Sequence, residues 1–203
     1  MVRQSRSEQS RRQVLDAALR LFSHQGYRAT TVREIADEAG VSTGNVYHHF
    51  EDKEQIFRTL LDEFWAINTS KRYPYTRALA SGQFPDNLEQ LGCAARDSVR
   101  EFRPYIALIY VDVIEFDGTH IQKFYGEMGQ RYAKMFTGGG LQEIRNRLRP
   151  DVSPVSALLM TSRIFFNYFS LEVLFNVPQP FGKDSMQIVK EIADILRHGM
   201  VAQ

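Results

Sequence analysis

A closely spaced set of helix start and stop signals near the N-terminus constrains the fold of this chain more than any other feature. Thr31 with Glu34 forms a capping box, and Gly40 is the residue type that most often ends a helix. Ser42 then supplies a second N-terminal cap two residues further on. The spacing predicts a short helix after Thr31 and another at about 43–49, joined by a tight turn. This arrangement is a helix-turn-helix.

Amphipathic helices are expected on both sides of this pair. Apolar residues recur every three or four positions from about Ser10 to Gln25, where Ser10 begins a Ser-x-x-Gln capping box and Gly26 ends the helix. Asp52 opens a fourth, longer helix whose apolar positions follow the same period. The N-terminal part of the chain therefore reads as three helices followed by a long connecting helix.

The outer side of the second helix of the pair is unusually polar. Only Val46 and the following Phe50 anchor it, whereas the positions between them and before them can hydrogen-bond. Such a helix presents its N-terminal residues to base edges in the major groove, and its remaining polar residues to phosphates. The residues at the N-terminus are Thr43, Gly44 and Asn45, those that can donate to phosphate are Tyr47, His48 and His49, and Lys53 begins the next helix on the same side.

The segment from Val14 to Leu60 resembles the DNA-binding domain of the TetR family of bacterial transcriptional regulators. The resemblance rests on A-x-x-L-F followed by G-Y, on T-T-V-x-x-I-A, on G-V-S-x-x-x-x-Y-x-H-F and on K-E, all in order. It covers roughly a quarter of the chain. It implies a dimer of all-α subunits, each with a three-helix DNA-binding head and a larger helical body that binds a small molecule and dimerises.

By position, the resemblance implies a helix-turn-helix domain at 1–51 and a body at 52–203, with 52–69 as the linking helix. Gly44 departs from a side-chain reader, so it permits only backbone approach or space for a thymine methyl. The implied base readers are Arg33, Thr43, Gly44 and Asn45, and the implied phosphate contacts are Thr31, Tyr47, His49 and Lys53.

The rest of the chain is also predicted to be helical, after a segment at 70–87 that contains a linker or loop. The helix from about 104 to 116 has few polar positions, which predicts burial on most sides. Aromatic and methionine side chains at helical spacing are typical of a core, but here they also suggest an apolar ligand pocket. The candidate lining residues are Tyr105, Tyr110, Phe116, Phe124, Tyr125, Met128, Phe165 and Phe169.

Two carboxylates, Asp112 and Glu115, lie three residues apart in the apolar helix at about 104–116. Carboxylates are rarely buried without a partner. One reading makes them polar anchors for a ligand, and the other pairs them with an internal partner such as Arg131 or Arg163. No nucleophile, phosphate-binding loop or metal-spaced cluster accompanies them, so the sequence predicts neither an enzyme nor a cofactor or metal site.

Two helices at the C-terminal end, at about 154–176 and 184–198, carry more apolar surface than one subunit needs. They are expected to pair with their symmetry mates in a four-helix homodimer interface. The resemblance places the dimer of the family on the same two helices.

Composition limits the cellular setting. Cys93 is the one cysteine of the 203-residue chain, which excludes an intrachain disulfide and favours a reducing compartment. No secretory signal follows the polar N-terminus and no apolar run of about 18 residues occurs, so a cytoplasmic protein without a membrane contact is expected. The net charge of +1 does not by itself indicate a polyanion partner.

These features together predict a DNA-binding transcriptional regulator. We expect a repressor that a small apolar or aromatic ligand releases from a near-palindromic operator in double-stranded DNA. The alternative is a helical small-molecule-binding or interaction protein that lacks operator-specific DNA binding.

Overall fold

The computed structural model describes residues 6–136 and 140–201. Within these residues the chain forms eleven α-helices and no strand, with one isolated bridge between Leu148 and Val201. The all-α fold predicted from the sequence is thereby confirmed. The helices are α1 (Arg6–Gln25), α2 (Val32–Ala39), α3 (Thr43–His49), α4 (Lys53–Asn68), α5 (Pro74–Leu79), α6 (Leu88–Glu101), α7 (Arg103–Glu115), α8 (Gln122–Met135), α9 (Gly140–Arg147), α10 (Pro154–Val173) and α11 (Ser185–Met200).

The chain divides into two compact units. Unit 1 comprises residues 1–66 and 104–122, and unit 2 comprises 67–103 and 123–203. The three N-terminal helices thus share a unit with most of α4 and nearly all of α7. The functional boundary predicted after residue 51 stays a prediction.

Unit 1 forms because its helices are short, capped and apolar on one side. Thr31 Oγ1 accepts from the backbone of Glu34 while the Glu34 side chain accepts from the Thr31 N–H, which confirms the capping box. Gly40 ends α2 in the left-handed conformation, and Ser42 caps α3 by accepting from the N–H of Asn45. The fully buried side chains of this unit include Leu15, Phe22, Ile35, Ile56, Phe57, Leu60 and Leu61.

One N-terminal signal was wrong. The helix predicted to start at Ser10 already includes Arg6, so Ser10 lies inside α1 and caps nothing. Because α1 continues N-terminally, the Ser10 hydroxyl is available for a tertiary contact.

Unit 2 is built around α6 and α10, which pack closely on one another, and α11 packs on both. Gly92 permits the close approach, since a Cβ atom there would lie 2.7 Å from the Phe165 ring and 2.8 Å from Val189 Cγ1. Ser153 and Pro154 occupy the N-cap and first-turn positions of α10. These helices supply the buried apolar side chains Leu88, Leu91, Ala95, Val99, Leu158, Phe165, Phe169 and Val189.

The segment at 70–87 contains a loop, as expected, on both sides of the short helix α5, which begins at Pro74. One expectation for the middle of the chain needs correction. The helix α7 is not buried on most sides, since Val113 and Ile114 are exposed. Among the described residues, no helix is both long and apolar enough to cross a membrane.

Candidate DNA-binding site

Few residues of helix α3 pack against the core of unit 1. Val46 and Phe50 are buried, as expected for its two anchors, and Ser42 Oγ accepts from the Asn45 N–H at 3.1 Å. The opposite side of the helix is open, with Tyr47 57% exposed. The predicted base- and phosphate-binding residues Thr43, Gly44, Tyr47 and His48 are all exposed.

Helix α2 contributes two of the predicted contacts. Arg33 is exposed and lies 4.0 Å from Asp37 one turn later, so its guanidinium can reach outward. Thr31 donates its hydroxyl proton to Glu34 Oε2 at 2.8 Å. A phosphate contact from the Thr31 side chain must therefore compete with its role at the start of the helix.

Lys53 has internal partners that the sequence did not indicate. Its ammonium donates to the carbonyl oxygens of Tyr27 at 2.7 Å and Thr30 at 2.6 Å, and it lies 4.1 Å from the centre of the Tyr27 ring. Burial lowers the pKa of Lys53, while the charges of Glu115 and Glu34 act in the opposite direction. Since an ammonium has three N–H groups, one is left for the predicted phosphate contact.

Asn45 and His49 are half-buried because both side chains turn towards α1. The Ser10 hydroxyl lies 3.1 Å from Asn45 Oδ1 and 2.7 Å from His49 Nε2. Burial, followed by the neighbouring charges of His48 and Arg11, lowers the pKa of His49. His49 was expected to donate to a phosphate, but its Nε2 is occupied by Ser10. Sequence reasoning missed Ser10 because it assigned this serine to a helix cap.

A second internal arrangement involves Glu115, at the end of α7. Its carboxylate accepts from the backbone N–H of Tyr27 at 2.9 Å and of Arg28 at 2.6 Å, in the connection between α1 and α2. Glu115 is 14% exposed. Beside it, Phe116 packs on Tyr27 and Phe57, with ring centroids 4.6 and 5.1 Å apart. The connection is thus held by Glu115 at its N–H groups and by Lys53 at its carbonyls.

Asp112 is fully buried and has two partners in unit 1. One oxygen lies 2.6 Å from His120 Nδ1, and the other accepts from the Ile121 N–H at 3.2 Å. Asp112 and Glu115 therefore bind internal partners, as the second reading of the sequence allowed, but not the arginines it named. Their role in ligand binding stays a prediction, and in this structure their hydrogen-bonding capacity is directed at the protein itself.

The remaining candidate ligand residues fall into both units. Tyr105, Tyr110 and Phe116 belong to unit 1, where Tyr105 stacks on Phe64 with ring centroids 5.5 Å apart. In unit 2, Phe165 and Phe169 are fully buried core residues. The other three candidates in unit 2 are Phe124, Tyr125 and Met128 on α8. A single pocket formed by all of them stays a prediction.

Unit 2 contains a cluster of tyrosines that the sequence reading overlooked. Tyr73 and Tyr75 stand next to Phe166, with ring centroids 6.2 and 5.0 Å away. Burial is the main cause that raises the pKa of Tyr75, and the nearby Tyr132 adds to it. Arg163 lies 4.5 Å from the centre of the Tyr125 ring. Tyr73 and Tyr75 were missed because the prolines around them suggested a loop.

The arginines proposed as carboxylate partners have other contacts. Arg131 lies 3.4 Å from Glu127 and 4.9 Å from the centre of the Phe124 ring. Both Arg131 and Arg163 are in unit 2. No group of three or more His, Cys, Asp or Glu side chains in the described ranges could hold a metal ion.

Comparison with known proteins agrees with this geometry. Residues 14–60 match the family of bacterial regulatory proteins called the tetR family. The chain is 30% identical over 133 residues to the transcriptional repressor KstR2 of Rhodococcus jostii, covering 63% of this chain and 62% of that one. It is 43% identical over 72 residues to the regulator AcrR of Shigella flexneri, covering 34% and 32% of the two chains. The chain thus matches less than two thirds of the length of either relative.

The fold of the whole chain is also similar to solved structures. The ketosteroid transcriptional regulator KstR2 of Mycobacterium tuberculosis superimposes with a TM-score of 0.61 over 98% of both chains, at 22% identity. This similarity concerns the fold alone. The capped helix pair with its exposed polar α3 has the arrangement of a helix-turn-helix. Over residues 14–60 the chain matches the tetR family of bacterial regulatory proteins, and it is similar to the transcriptional repressor KstR2.

Proposed function

We propose that this protein is an operator-binding transcriptional regulator that inserts α3 into the major groove. The observation that carries the proposal is the exposure of Thr43, Gly44, Tyr47 and His48 on a helix capped by Ser42. A structural role in the protein interior would not leave the side chains of Thr43, Tyr47 and His48 open to solvent. The family match over residues 14–60 supports the same role.

Selection of duplexes from a random DNA library tests this function directly. Wild-type protein should enrich one near-palindromic sequence, with half-sites about one helical turn apart if two heads bind together. Asn45→Ala should cost about 1–3 kcal/mol at one base pair of each half-site and relax the preference there. Lys123→Ala is a suitable control because this exposed lysine lies outside unit 1. Enrichment of no sequence by the wild type would contradict operator binding and favour a helical binding protein without an operator.

We propose further that the regulator is a repressor and that it binds DNA as a homodimer formed by α10 and α11. Support comes from the exposed apolar side chains Met160 on α10 and Met186 and Ile195 on α11. Ile195 is 65% exposed, which is a large apolar area for a residue on a folded helix. Ile192, in contrast, is 9% exposed and packs within its own unit, so only Ile195 is suitable for testing the interface.

A small apolar or aromatic molecule is the proposed effector, and unit 2 is its proposed location. The aromatic side chains around Tyr73, Tyr75 and Tyr132 support this assignment, since packed aromatic rings with buried hydroxyls suit a flat ligand with one polar end. Such a ligand can weaken DNA binding only by the difference between its affinities for the two conformations.

Reciprocal binding measurements test the effector. A ligand found by thermal-shift screening should bind less tightly when operator DNA is present, by the same factor by which it weakens DNA binding. Tyr132→Phe should weaken the ligand without altering DNA affinity in its absence. Equal ligand affinity with and without DNA would exclude that molecule as an inducer.

A further inference from the structure

We propose that Ser10, in α1, is a specificity-determining residue that fixes the orientation of the Asn45 side-chain amide in the recognition helix α3. The inference rests on the proposed operator binding, in which Asn45 reads a base. It concerns a residue that makes no base contact itself. Ser10 acts as a positioning residue, through two hydrogen bonds.

The directions of these hydrogen bonds follow from the number of protons available. A serine hydroxyl has one proton to donate, and an amide oxygen can only accept. If His49 Nε2 took this proton, two acceptor oxygens would face each other 3.1 Å apart, so we assign the Ser10 proton to Asn45 Oδ1. The Ser10 oxygen is then an acceptor for His49 Nε2, at 2.7 Å, so His49 carries a proton on that nitrogen. The result is a continuous chain from His49 through Ser10 to Asn45.

The surroundings favour these two hydrogen bonds over other contacts of the Ser10 hydroxyl. Ser7 O is the other acceptor close to the Ser10 hydroxyl, but at 3.4 Å it is farther than either partner on α3. The side chains of Ser10, Asn45 and His49 are all half-buried, which limits the replacement of their hydrogen bonds by water. Ser42 Oγ also accepts from the Asn45 backbone N–H at 3.1 Å, so the main chain of the reader is held as well.

A fixed amide matters because the two ends of an asparagine side chain are chemically different. Rotation by half a turn about the last torsion exchanges the oxygen for the NH₂ group. Thymine presents an acceptor in the major groove, whereas cytosine presents a donor. An amide held in one orientation offers its donor and acceptor in a fixed order and can distinguish these bases. A freely rotating amide adapts to both.

His49 takes part in this arrangement and not in phosphate binding through Nε2. Its proton on that nitrogen is directed to Ser10, and a neutral ring with a proton there has no donor left at Nδ1. The tandem histidines of α3 thus have different roles, with His48 exposed towards the DNA side and His49 completing the support of Asn45.

The test compares base preference in variants of Ser10 with a matched control. Wild type, Ser10→Ala, Ser10→Thr and Ser7→Ala are titrated with the selected operator and with its three variants at the base pair where Asn45→Ala loses preference. Ser7 is exposed and lies one turn earlier in the same helix. Urea unfolding and affinity for an unrelated duplex are measured for every variant.

Ser10→Ala should reduce discrimination at that base pair by roughly threefold to tenfold, the equivalent of one net hydrogen bond, with unchanged affinity for the unrelated duplex. Ser10→Thr keeps the hydroxyl and should retain the preference, as should Ser7→Ala. In the Asn45→Ala background, Ser10→Ala should have no further effect on the preference.

Two results would overturn the inference while leaving operator binding intact. One is wild-type base preference in Ser10→Ala. The other is an equal loss of affinity for every duplex, which would make Ser10 a support of the fold alone. Failure of the wild type to select any sequence would overturn the proposed function, and the role of Ser10 with it.

Discussion

Glu115→Ala is expected to destabilise unit 1 by about 2 kcal/mol. The carboxylate accepts two backbone hydrogen bonds, from Tyr27 at 2.9 Å and from Arg28 at 2.6 Å. A hydrogen bond to a charged group contributes about 1.5–3 kcal/mol. The Tyr27 N–H is partly buried and loses most of the free energy of its hydrogen bond, whereas the Arg28 N–H is exposed and forms a hydrogen bond to water instead. Removal of a poorly hydrated carboxylate offsets part of the loss, which leaves about 2 kcal/mol.

Equilibrium unfolding in urea, followed by tryptophan fluorescence, measures this effect in the correct unit. Trp65 is the one tryptophan of the chain, and it lies on α4 within unit 1. Glu115→Gln keeps one acceptor oxygen and should fall between wild type and Glu115→Ala. Asp37→Ala is the matched control, because Asp37 is 75% exposed and its ion pair with Arg33, at 4.0 Å, is long and solvated. A change within about 0.5 kcal/mol is expected for this exposed pair.

The reasoning would be refuted by a Glu115→Ala protein as stable as the Asp37→Ala control. Water would then replace both hydrogen bonds without loss, and Glu115 would not stabilise the connection between α1 and α2. A Glu115→Gln protein as unstable as Glu115→Ala would also contradict it, because the remaining amide oxygen should retain one of the two contacts.

Three further variants test neighbouring contacts and the dimer. Gly26→Ala should lose about 1–2 kcal/mol of stability, since Gly26 has a φ of +88° and a Cβ there would lie 2.6 Å from Glu115 Oε1. The loss should be smaller in the Glu115→Ala background. Equal losses in the two backgrounds would show that the clash is absent. Lys53→Met removes two hydrogen bonds to carbonyl oxygens and should lower the free energy of unfolding in urea by about 1–3 kcal/mol. If the salt dependence of DNA binding is unchanged in this variant, Lys53 serves the fold alone. If the slope of log affinity against log salt concentration falls by about one phosphate, the predicted phosphate contact is established. Ile195→Glu should convert the proposed dimer to monomer in light scattering, because it places an unpaired charge in an apolar interface. Ile114→Glu, at an isoleucine 77% exposed on α7, is its control, and a stable Ile195→Glu dimer would remove α11 from the interface.

The sequence alone determined the helices and their ends in the N-terminal region. The box at Thr31 and Glu34, the stop at Gly40 and the cap at Ser42 all appear in the structure where the spacing placed them. These signals are reliable because each joins a side chain to a backbone group only a few residues away, so neighbouring residues suffice to satisfy it. The same locality allowed the polar outer side of α3 to be recognised before any packing was known.

Only the tertiary structure decided which polar side chains the protein uses internally. Ser10, Lys53 and Glu115 bind groups that are distant in sequence, namely the α3 side chains and the backbone between α1 and α2. No periodicity reports such contacts, since a helix pattern indicates the side of a residue but not the neighbour it meets. The carboxylate of Glu115 is suited to a ligand or to two backbone amides alike, and its position beside the connection between α1 and α2 selects the amides.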